Sequence, residues 1–242
     1  MIDLLWNSPT SETSMARHIE VLSLPLSAKV LDIGCGCGEF LIRLNERFGV
    51  EGTGIDISVA HIDEAKRRAS TRVAESAIEF VATNAQTFSH PPESVELIAC
   101  LGSTHAFGEV PDAYRNALKS LIPLVKPQGL VLIADGYMKK AATVEYRKLL
   151  GDSMPDSMTH ARNVEVGTEN GLTPLAAWVA TDDEWDAFEW GYQRIIEKRA
   201  AESPDDPDIA AKLLRRRAWI EAYLRYGRDT LGYGTYLFKK SG

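Results

Sequence analysis

Three glycines at alternate positions, Gly34, Gly36 and Gly38, follow the apolar run Lys29–Ile33 and precede a helix-forming segment that begins at Glu39. Alternate glycines let a backbone take positive φ and come close to a bound molecule. The N–H groups at a helix start favour a polar or anionic ligand group. Together they suit the capture of a small organic ligand at a strand end. The spacing is informative, because a dinucleotide loop follows G-x-G-x-x-G and needs glycine at position 39, where this chain has Glu39. What stands here is D-x-G-x-G-x-G, from Asp32 to Gly38. Further on, Gly52-Thr53-Gly54-Ile55-Asp56-Ile57-Ser58 puts an acid at the end of a second strand. A carboxylate there can accept both hydroxyls of a ribose diol; the other reading of Asp56 is a helix cap competing with Ser58.

Other candidates follow later strands. His105, within Cys100-Leu101-Gly102-Ser103-Thr104-His105-Ala106-Phe107-Gly108, has the chemistry of a general base, or is a polar loop residue that shapes a pocket. Asp135 and Tyr137, within Ala134-Asp135-Gly136-Tyr137-Met138, have the chemistry to orient a substrate, and Asp135 to bind a cationic amine. Capping and packing are their other reading. Cys35 and Cys37 are one residue apart with no third ligand nearby, short of the closed ligand set a metal requires, so no metal is expected.

The apolar pattern supplies the elements that must carry these residues. A helix is expected over Met15–Leu22, ending before Pro25. Strand one is Lys29–Ile33, and the helix Glu39–Phe48 puts Phe40, Leu41, Leu44 and Phe48 on one face. Strand two is Val50–Ile55, and Ser58 caps a helix running to about Ala74. Strand three is Ile78–Ala82. The turn His90-Pro91-Pro92-Glu93-Ser94 leads into strand four, Val95–Leu101. A helix over Pro111–Val125 has proline at its tolerant first position, and Pro127-Gln128-Gly129 turns into strand five, Leu130–Ala134. This alternation predicts an α/β fold whose mostly parallel sheet is covered on both faces.

After Asp135 the pattern loosens. A helix is read over Thr143–Leu150, then a Met- and Ser-containing loop, Gly151–His160, a helix over Ala161–Glu169, and strand six over Leu172–Ala180. Thr181 caps a long helix, Asp182–Ala201. Ser203-Pro204-Asp205-Asp206-Pro207 breaks it, a second long helix spans Asp208–Tyr226, and Tyr233–Lys239 is a closing strand. Trp185, Phe188, Trp190, Tyr192, Trp219, Tyr223 and Tyr226 cluster here; helical spacing makes most of them core and leaves the rest to wall a pocket. Arg215-Arg216-Arg217 reads as solvated surface.

The chain has 242 residues, enough for one packed domain with insertions. Its apolar fraction of 45% and charged fraction of 25% are ordinary for a globular protein. A net charge of −7 argues against a dedicated nucleic-acid binder. No apolar run reaches a membrane span, Met1 to Arg17 carries no secretory pattern, and the three cysteines make no disulfide framework. The expectation is a cytoplasmic protein without membrane or nucleic-acid partners. It reads as one domain over 1–242, with a core at about 27–136, an elaboration at about 137–230 and a closing strand at 231–240.

The ordered set Leu31–Glu39, Gly52–Ser58, Ala65-Lys66-Arg67-Arg68-Ala69, Val95–Gly108, Pro127–Ile133, Trp185–Trp190 and Gly232–Phe238 resembles the class I S-adenosylmethionine-dependent methyltransferases. Within them it is similar to a bacterial branch of methyltransferase-domain and cyclopropane-fatty-acid-synthase-like proteins. The resemblance implies a Rossmann-like, seven-stranded sheet with the last strand antiparallel, S-adenosylmethionine as cofactor, and in-line methyl transfer to a small-molecule acceptor. Asp32, Gly34, Cys35, Gly36 and Gly38 would then meet the cofactor's amino-acid end and ribose, and Asp56 the ribose diol. Ile57, Asn84 and Ala85 would surround the adenine, and Leu101 and Gly102 would border the sulfonium. His105, Asp135 and Tyr137 are the catalytic candidates, on the rim facing the acceptor. Members of the branch often carry an acid, proline, tyrosine and tryptophan after strand five, whereas this chain has Asp135-Gly136-Tyr137-Met138. Two other readings stay open: aminopropyl transfer from a decarboxylated cofactor, with Asp135 for the polyamine, and a non-catalytic cofactor-binding protein. The elaboration is expected to close over the acceptor as a lid. The oligomeric state stays open, a homodimer included.

Overall fold

The computed structural model describes residues 5–151 and 154–242. Residues 1–4 of the expected lead-in, and 152–153 of the loop after the helix near 150, lie outside the described residues. The sheet has seven strands in the order β3-β2-β1-β4-β5-β7-β6. They are β1 Lys29–Ile33, β2 Glu51–Asp56, β3 Ile78–Ala82, β4 Val95–Leu101, β5 Val125–Met138, β6 Leu172–Val179 and β7 Leu231–Lys240. β1 to β5 pair in parallel, and β7 runs antiparallel to both β5 and β6. This is the expected Rossmann-like topology with its last strand reversed.

Helices cover both faces because alternate residues along each strand point to opposite sides. On one face α1 (Glu12–Glu20), α2 (Glu39–Phe48) and α3 (Val59–Ala69) bury Met15, Phe40, Leu44 and Ile62 against Val30, Leu97 and Leu132. On the other, α4 (Ala113–Leu121) and α6 (His160–Glu169) bury Tyr114, Leu118 and Val166 against Ile98, Val131 and Ile133. A third cluster gathers Met138, Tyr146 and Leu231 beneath α5 (Val144–Leu150) and α8 (Pro207–Ala222). α7 (Asp182–Glu202) opens with a complete capping box, Thr181 with Glu184. Among the described residues no helix is long and apolar enough to cross a membrane.

Three differences from the sequence reading bear on the site. α4 starts at Ala113 rather than Pro111, after a turn in which the Asp112 and Ala113 N–H groups both donate to Glu109 O. It gives way to a 3₁₀ turn at Ile122–Leu124, where Pro123 cannot extend it. β5 runs well past Ala134, because β7 pairs with it residue by residue from Leu130↔Lys239 to Met138↔Leu231. Asp135 and Tyr137 therefore lie within a strand and not on a rim. Finally, Arg216 is not solvated: its guanidinium pairs with the buried Glu189 of α7, which also accepts from Trp219 Nε1 at 2.9 Å, while Arg215 and Arg217 stay exposed.

Candidate functional site

A cavity of about 710 Å³ opens at the carboxyl ends of β1 to β4, where ligands bind in open α/β sheets. The glycine loop forms its floor. Gly34, Gly36 and Gly38 have φ of +70°, +52° and +75°, conformations that side chains disfavour. Their surroundings differ. A Cβ on Gly34 would lie 2.0 Å from Ser103 Oγ, so the loop is pressed against the end of β4. A Cβ on Gly38 would lie 2.6 Å from the Phe80 ring. Gly38 lets α2 pack on β3 and is not part of the cavity wall. Gly36 has nothing within 4 Å on that side and faces the open cavity.

Two acids stand beside the loop. Asp56 Oδ2 accepts the Gly36 N–H at 3.0 Å, and Oδ1 accepts the Ser58 N–H at 2.8 Å. The expected competition between capping and ligand roles is resolved locally: the Ser58 hydroxyl caps α3, and the Asp56 side chain still lines the cavity. Asp32 is only 2% exposed, and its carboxylate has no hydrogen-bond partner among the described residues. Burial, and then the nearby Asp56 charge, push its carboxyl up to about 7. A buried acid of this kind is suited to a cationic ligand group. Glu39, also in the wall, is already neutralised by Arg43 at 2.6 Å and Arg72 at 2.8 Å.

Of the other expected ligand residues, Cys35, Ile57, Asn84, Ala85, Leu101 and Gly102 all border the cavity. Asn84 Oδ1 accepts the Gln86 N–H at 2.9 Å. It caps its own loop while retaining a second lone pair.

The three catalytic candidates are not brought together. His105 is exposed in a 3₁₀ turn, Thr104–Phe107, and lines the cavity. Asp135 and Tyr137 are not in its wall. They share strand parity with Val131 and Ile133, which face α4 and α6, so alternation turns them to that side. Asp135 accepts the Thr104 hydroxyl at 2.5 Å and the Gly136 N–H at 2.7 Å, and burial pushes its carboxyl up. Tyr137 packs on the His160 ring with centroids 5.3 Å apart.

Other wall residues were not in the expected set. Tyr192, Ile195, Ile196 and Arg199 of α7 face the cavity. Their i, i+3, i+4, i+7 spacing is a readable stripe, but only the fold shows what it covers. Trp6 and Asn7 come from the N-terminal segment, which carries no sequence signal of this role. That segment is tied to α7 twice, by the Tyr192 hydroxyl on Asn7 Oδ1 and by the Ser11 N–H on Glu184 Oε1 at 2.9 Å. His61 of α3 joins the wall beside Asp56. The described residues of Met138–His160, expected to share in a lid, do not border the cavity; α7 does.

Comparison with known proteins agrees with this architecture. The family described as "Methyltransferase domain" matches residues 30–129. The uncharacterized protein YjhP of Escherichia coli K12 is 27% identical over 232 residues, covering 95% of this chain and 92% of that protein. Its X-ray structure aligns with a TM-score of 0.85 at 26% identity, over 97% of this chain and 94% of that one. A Geobacter sulfurreducens SAM-dependent methyltransferase in complex with S-adenosyl-L-homocysteine shares the fold, with a TM-score of 0.87 at 23% identity over 97% and 93% of the two chains. Phosphoethanolamine N-methyltransferase 1 of Arabidopsis thaliana is 29% identical over 202 residues; the match spans 78% of this chain but 39% of that longer enzyme.

Proposed function

Because the chain belongs to the class I S-adenosylmethionine-dependent methyltransferases, we propose that its cavity seats the cofactor along β1 to β4 and a small-molecule acceptor between His105 and α7. The observation that carries this reading is the buried Asp32, whose carboxylate has no hydrogen bond among the described residues, beside a glycine loop already tied to Asp56. Asp32 suits the cofactor's cationic amino-acid end, and the open side of Gly36 admits its backbone. Asp56 suits the ribose diol. Ile57 and Ala85 suit the faces of the adenine, and the Asn84 amide suits its edge. Leu101 and Gly102, also in the wall, would border the sulfonium.

When bound, the cofactor supplies a methyl group already activated on a sulfonium. The protein's part is then alignment and exclusion of water. Trp6, Tyr192, Ile195 and Ile196 give the acceptor side apolar surface, with Asn7 and Arg199 as polar groups beside it, which suits a small acceptor with both characters. His105 is the side chain placed there to take a proton from a hydroxyl, thiol or ammonium. Asp135 acts behind it, holding Thr104 and so the turn that carries His105. The aminopropyl reading relied on Asp135 for a polyamine; with Asp135 outside the wall that support is gone.

The test is incubation with methyl-labelled cofactor and pools of small molecules, read by mass shift. A labelled product that needs His105 supports the reading. Failure to bind S-adenosylhomocysteine would overturn it.

A further inference from the structure

We propose that His61 positions the Asp56 carboxylate for the cofactor's ribose and thereby sets cofactor affinity, an inference that rests on the cofactor assignment above. His61 stands in the first turn of α3, where its N–H donates to the Ser58 hydroxyl at 3.3 Å. That cap fixes the backbone from which the imidazole reaches back to Asp56. Its Nδ1 lies 3.4 Å from Asp56 Oδ1, and both side chains line the cavity.

The lone pairs of the carboxylate show what this contact does. An ionised carboxylate has about four acceptor sites, two on each oxygen. On Oδ1, one meets the Ser58 N–H and the other faces His61; on Oδ2, one meets the Gly36 N–H. The site left over is on Oδ2, on the side of the glycine loop where the ribose would lie. The two backbone donors, one on each oxygen, set the carboxylate plane. A third donor at Nδ1 adds a side-chain contact that reinforces that orientation. The same contact selects the imidazole tautomer with its proton on Nδ1 and leaves Nε2 as an acceptor. His61 is thus a positioning residue acting through Asp56.

The test compares wild type, His61→Ala, His61→Asn, Asp56→Ala and the double variant His61→Ala/Asp56→Ala by calorimetric titration with S-adenosylhomocysteine. Circular dichroism confirms that each variant is folded. Asparagine keeps an N–H donor near the place of Nδ1, and alanine does not. We expect His61→Ala to weaken binding about tenfold, as loss of a hydrogen bond to a charged group does. We expect His61→Asn to stay within about threefold of wild type, and His61→Ala to add little in the Asp56→Ala background. In the cofactor-free protein, ¹⁵N spectra should show the Nδ1–H tautomer at His61 and its loss in Asp56→Ala. Equal affinity of His61→Ala and wild type, a full His61→Ala penalty in the Asp56→Ala background, or an unchanged tautomer would each overturn the inference while the cofactor assignment stands. Absence of binding by wild type would remove both.

Discussion

The backbone N–H of Gly36 donates to Asp56 Oδ2 across 3.0 Å, which joins the glycine loop to the end of β2. If the cavity seats the cofactor as proposed, both partners are held in place and little ordering cost remains for binding. Asp56→Ala should weaken S-adenosylhomocysteine binding by about 1.5–3 kcal/mol, the range for a hydrogen bond to a charged group. Gly36→Val should bind worse still, because a branched side chain at φ +52° is strained and would project into the cavity. Calorimetric titration measures both, and unchanged affinity in Asp56→Ala would remove the ribose assignment.

Asp32 links affinity to pH. Its carboxyl, 3.8 in a model compound, is pushed up to about 7 in the fold. A raised acid costs the folded state nothing below its unfolded value, and the cost grows as pH climbs toward 7. Asp32→Asn should therefore stabilise the cofactor-free protein at pH 8, by on the order of 1–4 kcal/mol, and change little near pH 4. Thermal melts at the two pH values check this. A cationic cofactor group favours the ionised acid, so binding should release a proton between about pH 5 and 7 and weaken as pH falls through that window. Calorimetry in buffers of different ionisation enthalpy should detect the proton in wild type and not in Asp32→Asn.

His105 and Tyr137 should now separate. His105→Ala is expected to lower turnover at least about tenfold and leave S-adenosylhomocysteine affinity nearly unchanged, as removal of a general base does. Tyr137→Phe should stay within about twofold of wild type, since the residue is outside the cavity wall and its ring packs on His160. Normal turnover in His105→Ala would make His105 a wall residue only. Steady-state rates of the two variants decide it.

The α7 wall should govern the acceptor more than the cofactor. Ile196→Trp fills the acceptor side and should raise the acceptor KM about tenfold or more, with cofactor affinity nearly intact. Hydrogen exchange should slow in α7 and in the N-terminal segment it is tied to when cofactor and acceptor bind, while α5, buried against Leu231 and Met138, should not respond. Protection confined to the glycine loop and Asp56 would assign α7 to packing alone.

The side of the cavity built from the glycine loop and Asp56 was legible in the chain because its geometry is local. A strand, three alternate glycines and a helix start dictate their own backbone geometry. Asp56 is placed by the two strand residues before it and the cap after it. β1, β3 and β4 have the bounds read from their apolar runs. The side proposed for the acceptor depends on residues far apart in sequence. The reach of β5 is set by pairing with β7, about a hundred residues later, and that extension carried Asp135 and Tyr137 into the sheet. Glycine at 38 answers to the Phe80 ring, and Glu39 stays buried because Arg43 of its own helix and Arg72 beyond α3 neutralise it. Trp6 meets the cavity through packing on the core beneath it, the Arg43 guanidinium over its ring and the fastening of the N-terminal segment to α7. Local geometry is written in neighbouring residues; which side chain faces a cavity depends on what packs behind it, and that only the tertiary structure decided.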